Sequence, residues 1–298
     1  MKKTLALFLM LAFVILGLFS CKKTDESWEE YQTLFVAGSN DEASSSFQPE
    51  VQFGNSDYFS KEAMPDCTVC FDDVHYTGSY HWSFRTSLCS YVTDYYETEE
   101  GYEFGLESGT SELTSINLMN KSFFDREPYL DDVENAQAVA EEIADRYASS
   151  FLEDPTAYTK YVDMVKSQKE RDGKTYEITY YDFTYVKEVC GFQTNDLMEI
   201  RVTSKGHLAR ICMLDIGIFK NAEFQIDQDR LNASVLEKTN ALYSHTPYTV
   251  NKVDVKSQKL VATPDGYYGV HSLVRLELMY EAVNTDTQIA LITRLVKR

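Results

Sequence analysis

The chain has 298 residues, 44% hydrophobic and 13% aromatic, with 47 acidic against 28 basic side chains and a formal net charge of −19. So acidic a surface repels phosphate backbones, and beyond Lys22-Lys23 no basic run offers a face for counterion release, which excludes nucleic acid as a partner. The apolar content, with 21 Tyr and 17 Phe, suffices for two or three small packed domains and excludes a disordered chain.

Met1-Lys2-Lys3 is positively charged, residues 4–19 are an uncharged apolar run of sixteen, and Ser20-Cys21 follows. This is the three-part pattern of a secretory signal, and the run is short of the about 20 residues that span a bilayer core. Leu18-Phe19-Ser20-Cys21 resembles the bacterial lipobox, although Phe19 is bulkier than the residue usual at that position. The resemblance implies cleavage before Cys21, a diacylglyceryl group on its thiol and a further fatty-acyl chain, such as palmitate, on its new amino group. It also implies a cell-membrane location facing the extracytoplasmic side. Two or more acyl chains at roughly 0.8 kcal/mol per buried methylene hold a protein stably where one chain does not. Removal of residues 1–20 takes away Lys2 and Lys3 and brings the net charge to −21, and Lys22-Lys23 are then expected near anionic headgroups.

After a polar tether at 22–26, Trp28, Tyr31 and Phe35 recur at helical spacing, and Ser27 with Glu30 forms a capping-box pattern, so a helix is expected from Ser27. Residues 38–48 are small and polar and are expected as linker. From 75 to 117, aromatic and β-branched residues alternate in short runs at 80–84, 89–95, 102–106 and 113–118, separated by glycine-containing breaks, as in antiparallel strands. Residues 131–151 place Val133, Ala136, Ala140, Ile143, Tyr147 and Phe151 on one helical stripe, with Asp131 and Glu134 as its cap. Asp154-Pro155 then opens a second short helix through Val165. Strands are expected at 175–189, 197–203 and 207–214, with a turn over 191–195. A two-residue turn at Lys205-Gly206 sets Met198, Ile200 and Val202 opposite Met213, Ile211 and Ala209. A helix at 229–243 and strands near 249–262, 268–281 and 288–296 complete the chain.

A helix followed by a three-strand meander thus recurs from Asp131 and from Asp229, which predicts an α+β fold of repeated helix-plus-meander units. The expected organisation is a signal peptide at 1–20, a lipid-anchored segment and linker at 21–48, a β-rich domain at 49–120, and two units at 121–222 and 223–298. The segment 189–196 (VCGFQTND) with 198–208 (MEIRVTSKGHL) is similar to the glycine turn, alternating strand and second glycine turn of PepSY and cystatin-like modules. That resemblance implies peptidase regulation or protein binding in the cell envelope.

Cys67 and Cys70, with His75, His81 and Cys89 downstream, are the one cluster of metal-ligand residue types, but a second CxxC is missing and the histidines stand among strands. For an exported protein, disulfides or buried thiols are the commoner fate, and the pairing of Cys67, Cys70, Cys89, Cys190 and Cys212 stays open. No G-x-S-x-G elbow, H-E-x-x-H helix or phosphate loop occurs. Asp227-Gln228-Asp229 lacks the ligands of a calcium loop and is expected to cap the helix beside it. Tyr176, Tyr180, Tyr181, Phe183 and Tyr185 are expected in core packing. No catalytic residue, metal or cofactor is expected. The sequence points to a non-catalytic lipoprotein that binds a protein or peptide, with an envelope hydrolase or metal-binding protein using the Cys67–Cys89 region as the alternative.

Overall fold

A computed structural model describes residues 57–62, 64–86, 88–171, 174–220, 224, 226–263 and 266–295, with two short strands at 33–36 and 52–54. Residues from Gln32 onward form one compact unit. Its first strands are β1 (Thr33–Val36), β2 (Gln52–Gly54), β3 (Asp57–Phe59), β4 (Cys67–Phe71), β5 (Val74–Arg85), β6 (Val92–Thr98), β7 (Glu103–Glu107) and β8 (Leu113–Asn117). Helices α1 (Lys121–Arg126) and α2 (Ala136–Phe151) precede β9 (Tyr158–Arg171), β10 (Lys174–Val189), β11 (Phe192–Thr203) and β12 (Leu208–Leu214). Helix α3 (Gln228–Tyr243) leads into β13 (Thr249–Ala262), β14 (Tyr268–Tyr280) and β15 (Val283–Leu295).

Three of the hairpins turn on two residues that both hold left-handed φ, as a type I′ turn requires: Asp72-Asp73, Cys190-Gly191 and Glu281-Ala282. Only Gly191 among these six is a glycine, so the strands on either side, not the turn residues, hold these conformations in place.

All fifteen strands belong to one sheet. Its strand pairs are antiparallel except where β1 joins β15 and where β11 meets β13 over Gln193 and Thr194. One apolar stripe crosses eight neighbouring strands, from β5 through β6, β7, β8, β12, β11 and β10 to β9. It runs Tyr80, Tyr96, Phe104, Ile116, Ile211, Ile200, Phe183 and Val162, each the cross-strand partner of the next. Opposed residues in a sheet point to the same face, so the stripe is continuous. Helix α2 lies on it through Ala140, Ala144 and Ala148, all fully buried at four-residue spacing, and their small side chains let the helix approach closely. Helix α3 packs Val235 against Val274 and Leu276 of β14 and Leu291 of β15.

This architecture overturns the expected fold of repeated helix-plus-meander units. The protein is mostly β, with three α-helices among the described residues and a single large sheet. The stripe passes from β8 into β12, so the strands following α2 bury their apolar face jointly with the N-terminal strands. The second short helix expected after Pro155 is a single 3-10 turn, Pro155–Ala157, and Tyr158 onward is the fourteen-residue strand β9. Pairing with β10 along its whole length outweighs the weak helical spacing there. The helix expected from Ser27 falls largely outside the described residues, but Phe35, assigned to it, lies in strand β1. Asp131 and Glu134 do not cap α2. Its N-cap is Asn135, left-handed and without a side-chain cap bond, while Asp132 instead accepts bonds from Ser204 and Lys205. The expected register on β12 holds for Met198 with Met213 and Ile200 with Ile211, then slips at a bulge that sets Val202 against Leu208. Asp227 caps α3 as expected, accepting from the amides of Asp229 and Arg230, both at 3.0 Å.

Candidate functional site

Cys21 and the four-residue pattern that ends on it lie outside the described residues, as does the linker at 38–48. Cys67 and Cys70 stand three apart on β4, and side chains alternate along a strand, so they point to opposite faces of the sheet. Cys67 packs against the core beneath α2, and Cys70 is exposed opposite an exposed His75. Cys89 is buried ahead of β6, Cys212 is on β12, and Cys190 occupies a turn where its thiol donates to the carbonyl of Phe224 at 3.0 Å. No disulfide joins any of the five among the described residues. Among the described residues no three His, Cys, Asp or Glu side chains converge as a metal site. His75 and His81 do share a groove of about 730 Å³ along β5 with Tyr76 and Glu97, but no cysteine lines it. The Cys67–Cys89 region therefore brings together one exposed cross-strand Cys–His pair and no enclosed centre.

The tyrosine cluster of β10 divides between two faces. Phe183 and Tyr185 are buried beneath α2, and Tyr180 is buried on the other side with Phe123 of α1. Tyr185 donates to Asp145 on α2 at 2.6 Å, which ties the helix to the strand.

Sequence inspection missed a buried polar junction, because Asn195 was expected to end a turn and Asp196 to precede the strand, while both lie inside β11. Asp215, 4% exposed just after β12, accepts from the Ser90 amide at 3.1 Å, from the Ser90 hydroxyl and from the Asn195 side-chain amide. Asn195 also donates to the carbonyl of Leu88 and accepts from the amide of Ala262 at 3.1 Å. Asp196 accepts from Tyr158 at 2.7 Å and from the Gly217 amide at 3.0 Å. Burial, with the nearby Asp196 charge, pushes the Asp215 carboxyl up to about 7, although the bonds from Ser90 and Asn195 favour its ionised form. The same burial pushes the thiol of Cys89 and the phenol of Tyr91 upward, so neither is an activated nucleophile or base. The junction has the signature of a structural clamp joining β11, β13 and the loop before β6. The one sequence signal for it was a run of short polar residues between Phe192 and Leu197, flanked by apolar strand residues.

The other distinctive surface is the edge formed by β9. This strand pairs with β10 alone, from Tyr158 opposite Lys187 to Arg171 opposite Lys174. The sheet's terminal strands β2 and β3 have three residues each, and β4, paired only to β5, has five. The fourteen-residue β9 therefore leaves one side unpaired along its whole length, and such an edge offers a row of backbone donors and acceptors to an incoming strand. Tyr161, Val162 and Met164 are exposed along it, Met164 to 61%. Lys160 of β9 is held by Glu141 at 2.5 Å and Asp145 at 2.9 Å on α2, so the helix steadies the strand beneath its open side. The apolar stripe of the sheet ends here, on Val162.

No protein-family profile, no curated protein and no solved structure matches this chain. Among the described residues, no helix is long and apolar enough to cross a membrane.

Proposed function

We propose that the protein is an exported lipoprotein, held to the extracytoplasmic side of the cell membrane by lipid on Cys21, which binds an extended segment of a protein partner along β9 and carries out no chemistry on it. The observation that supports strand addition is the ending of an eight-strand apolar stripe at an exposed Val162 on a fourteen-residue open edge. An added strand would satisfy backbone groups along β9 and extend the stripe by placing an apolar residue opposite Val162. Lys160, Asp163 and Lys166 on the same edge disfavour indiscriminate pairing and would select the charge pattern of the partner. The lipid anchor is supported by the charged start, the apolar run and the Leu18–Cys21 pattern.

The test is affinity capture from native membranes with the unmodified chain and with Val162→Lys, each shown by circular dichroism to be folded. A partner retained by the first and lost by the second supports the reading. Recovery of the same partner by both, or of none by either, overturns it. Separately, metabolic labelling with a fatty-acid precursor is expected to mark the wild-type chain and to vanish in Cys21→Ser. Label that persists in the variant would remove the anchor.

A further inference from the structure

A pocket of about 370 Å³ opens where α1, α2 and the turn between β11 and β12 meet the β4–β5 hairpin. Three basic side chains line it: Arg126 at the end of α1, Arg146 on the outer side of α2, and His207 just after the turn. In a chain where acidic side chains outnumber basic ones by 47 to 28, arginines are expected to be taken up by carboxylates. Arg201, for instance, binds Asp182 through two nitrogens, at 2.7 and 2.6 Å. Neither Arg126 nor Arg146 forms an ion pair with any described residue. Arg146 lies with its guanidinium carbon 4.9 Å from the centre of the Tyr147 ring and also donates a hydrogen bond to the Tyr147 side chain, and with five N–H donors a guanidinium keeps others for an acceptor in the pocket.

The histidine is held from behind. Its Nδ1 is 2.9 Å from Oε2 of Glu127, a side chain with no exposed surface. A carboxylate accepts, so Nδ1 carries the proton, and Nε2, the nitrogen left facing a ligand, donates to an anion when the ring is the imidazolium with both nitrogens protonated. Gly206, at φ 77, makes the turn that delivers His207 to this position. One carboxylate also lines the pocket, that of Asp72, and it is engaged by the Tyr147 hydroxyl at 3.0 Å. The remaining wall mixes aromatic and apolar side chains, Tyr76, Tyr102, Phe123 and Ile143 among them, with the polar Asn120 and Ser122.

We infer that this pocket binds a small oxyanion, a carboxylate or a phosphate carried on an apolar body, with Arg126 and Arg146 meeting its oxygens and His207 fixing its orientation. Guanidinium groups match both anions in geometry, with paired N–H donors, and an aromatic wall takes up the apolar part. The site lies apart from β9 and stands whether or not that edge binds a partner.

The test is isothermal titration of the full chain, made soluble by Cys21→Ser, with benzoate, phenyl phosphate and, as a neutral isostere, benzamide. At least one of the two anions is expected to bind saturably, and benzamide at least tenfold more weakly. The tighter of the two anions identifies the carboxylate or the phosphate source. The double variant Arg126→Gln with Arg146→Gln, both at exposed positions, is expected to lose at least tenfold in affinity. Arg210→Gln, which removes one positive charge from an exposed pair with Glu199, is expected to change it less than twofold. Equal binding of benzamide, an equal loss in Arg210→Gln, retention in the double variant or no saturable binding of either anion would each overturn the site.

Discussion

At the scale of single residues, two buried groups pull stability in opposite directions as pH changes. Asp215 is raised from 3.8 to about 7, so the fold favours its neutral form. Its contribution is fully present below its unfolded value and is lost as pH rises through about 7. His271, buried on β14 beside Lys259, is lowered from 6.5 to about 3, so the fold favours the neutral imidazole. Its contribution is fully present above 6.5 and is lost as pH falls towards about 3. Across the overlap the two partly cancel in the wild type, and only a variant separates them. The stability of Asp215→Asn in urea is therefore expected to gain on that of the wild type as pH rises from about 4 to 7, at a limiting slope of about 1.4 kcal/mol per pH step of one. Parallel curves over that range would mean that Asp215 titrates as an ordinary carboxylate. None of this was legible in the sequence, because a carboxylate's pKa depends on what is packed around it and Asp215 meets Ser90 and Asn195 only through the sheet.

Among elements, caps and turns give the cleanest tests. Asp227 satisfies two orphan amides of α3, and Asp227→Ala is expected to cost about 1 kcal/mol in thermal or urea unfolding. Cys190 holds φ 52 in a two-residue hairpin where Asn-Gly is the favoured pair. Cys190→Asn is expected to stabilise the protein by a few tenths to about 1 kcal/mol, and a lower melting temperature would show that the thiol's bond to Phe224 outweighs the strain. The helix of 228–243 was readable from Asp227 and the spacing of Leu231 and Val235, since cap and stripe are both local. Most strands from 74 onward were readable for the same reason, their alternation being sharp. Strand β9 was not: Tyr158, Tyr161, Val162 and Val165 satisfy a helical spacing as well as a strand, and the choice is made by a neighbour, β10, that supplies fourteen paired positions.

For the whole molecule, the continuous stripe and the Asn195 junction predict one cooperative unfolding transition. Asn195→Ala would leave the Ala262 amide and the Leu88 carbonyl without their bonds, at roughly 1–3 kcal/mol for each buried group left unpaired. In a Trp28→Phe background, Trp82, stacked on Tyr95 at 4.0 Å, reports on the N-terminal strands. Its fluorescence and the far-UV circular dichroism of Asn195→Ala are expected to shift together to a lower urea midpoint. Separate transitions would instead mean that the N-terminal strands fold as an independent body.

The sequence by itself determined the position of most strands, the α3 cap and the acidic balance of charge, since each follows from a short window of residues or from composition alone. It also supplied the whole case for Cys21, because signal and lipid attachment are read by cellular machinery from a linear segment. The tertiary structure decided how the strands join. Hydrogen bonding at strand edges is non-local and indifferent to side-chain identity, so nothing in residues 113–117 or 208–214 announced that β8 would take β12 as its neighbour. That pairing joined the N-terminal strands to the first expected unit, and the short contact of β11 with β13 over Gln193 and Thr194 joined the two units, so that a single sheet resulted. The pocket beneath α1 depends likewise on long-range placement, drawing Arg126, Arg146 and His207 from three segments, each of which alone carries no more than an ordinary basic residue.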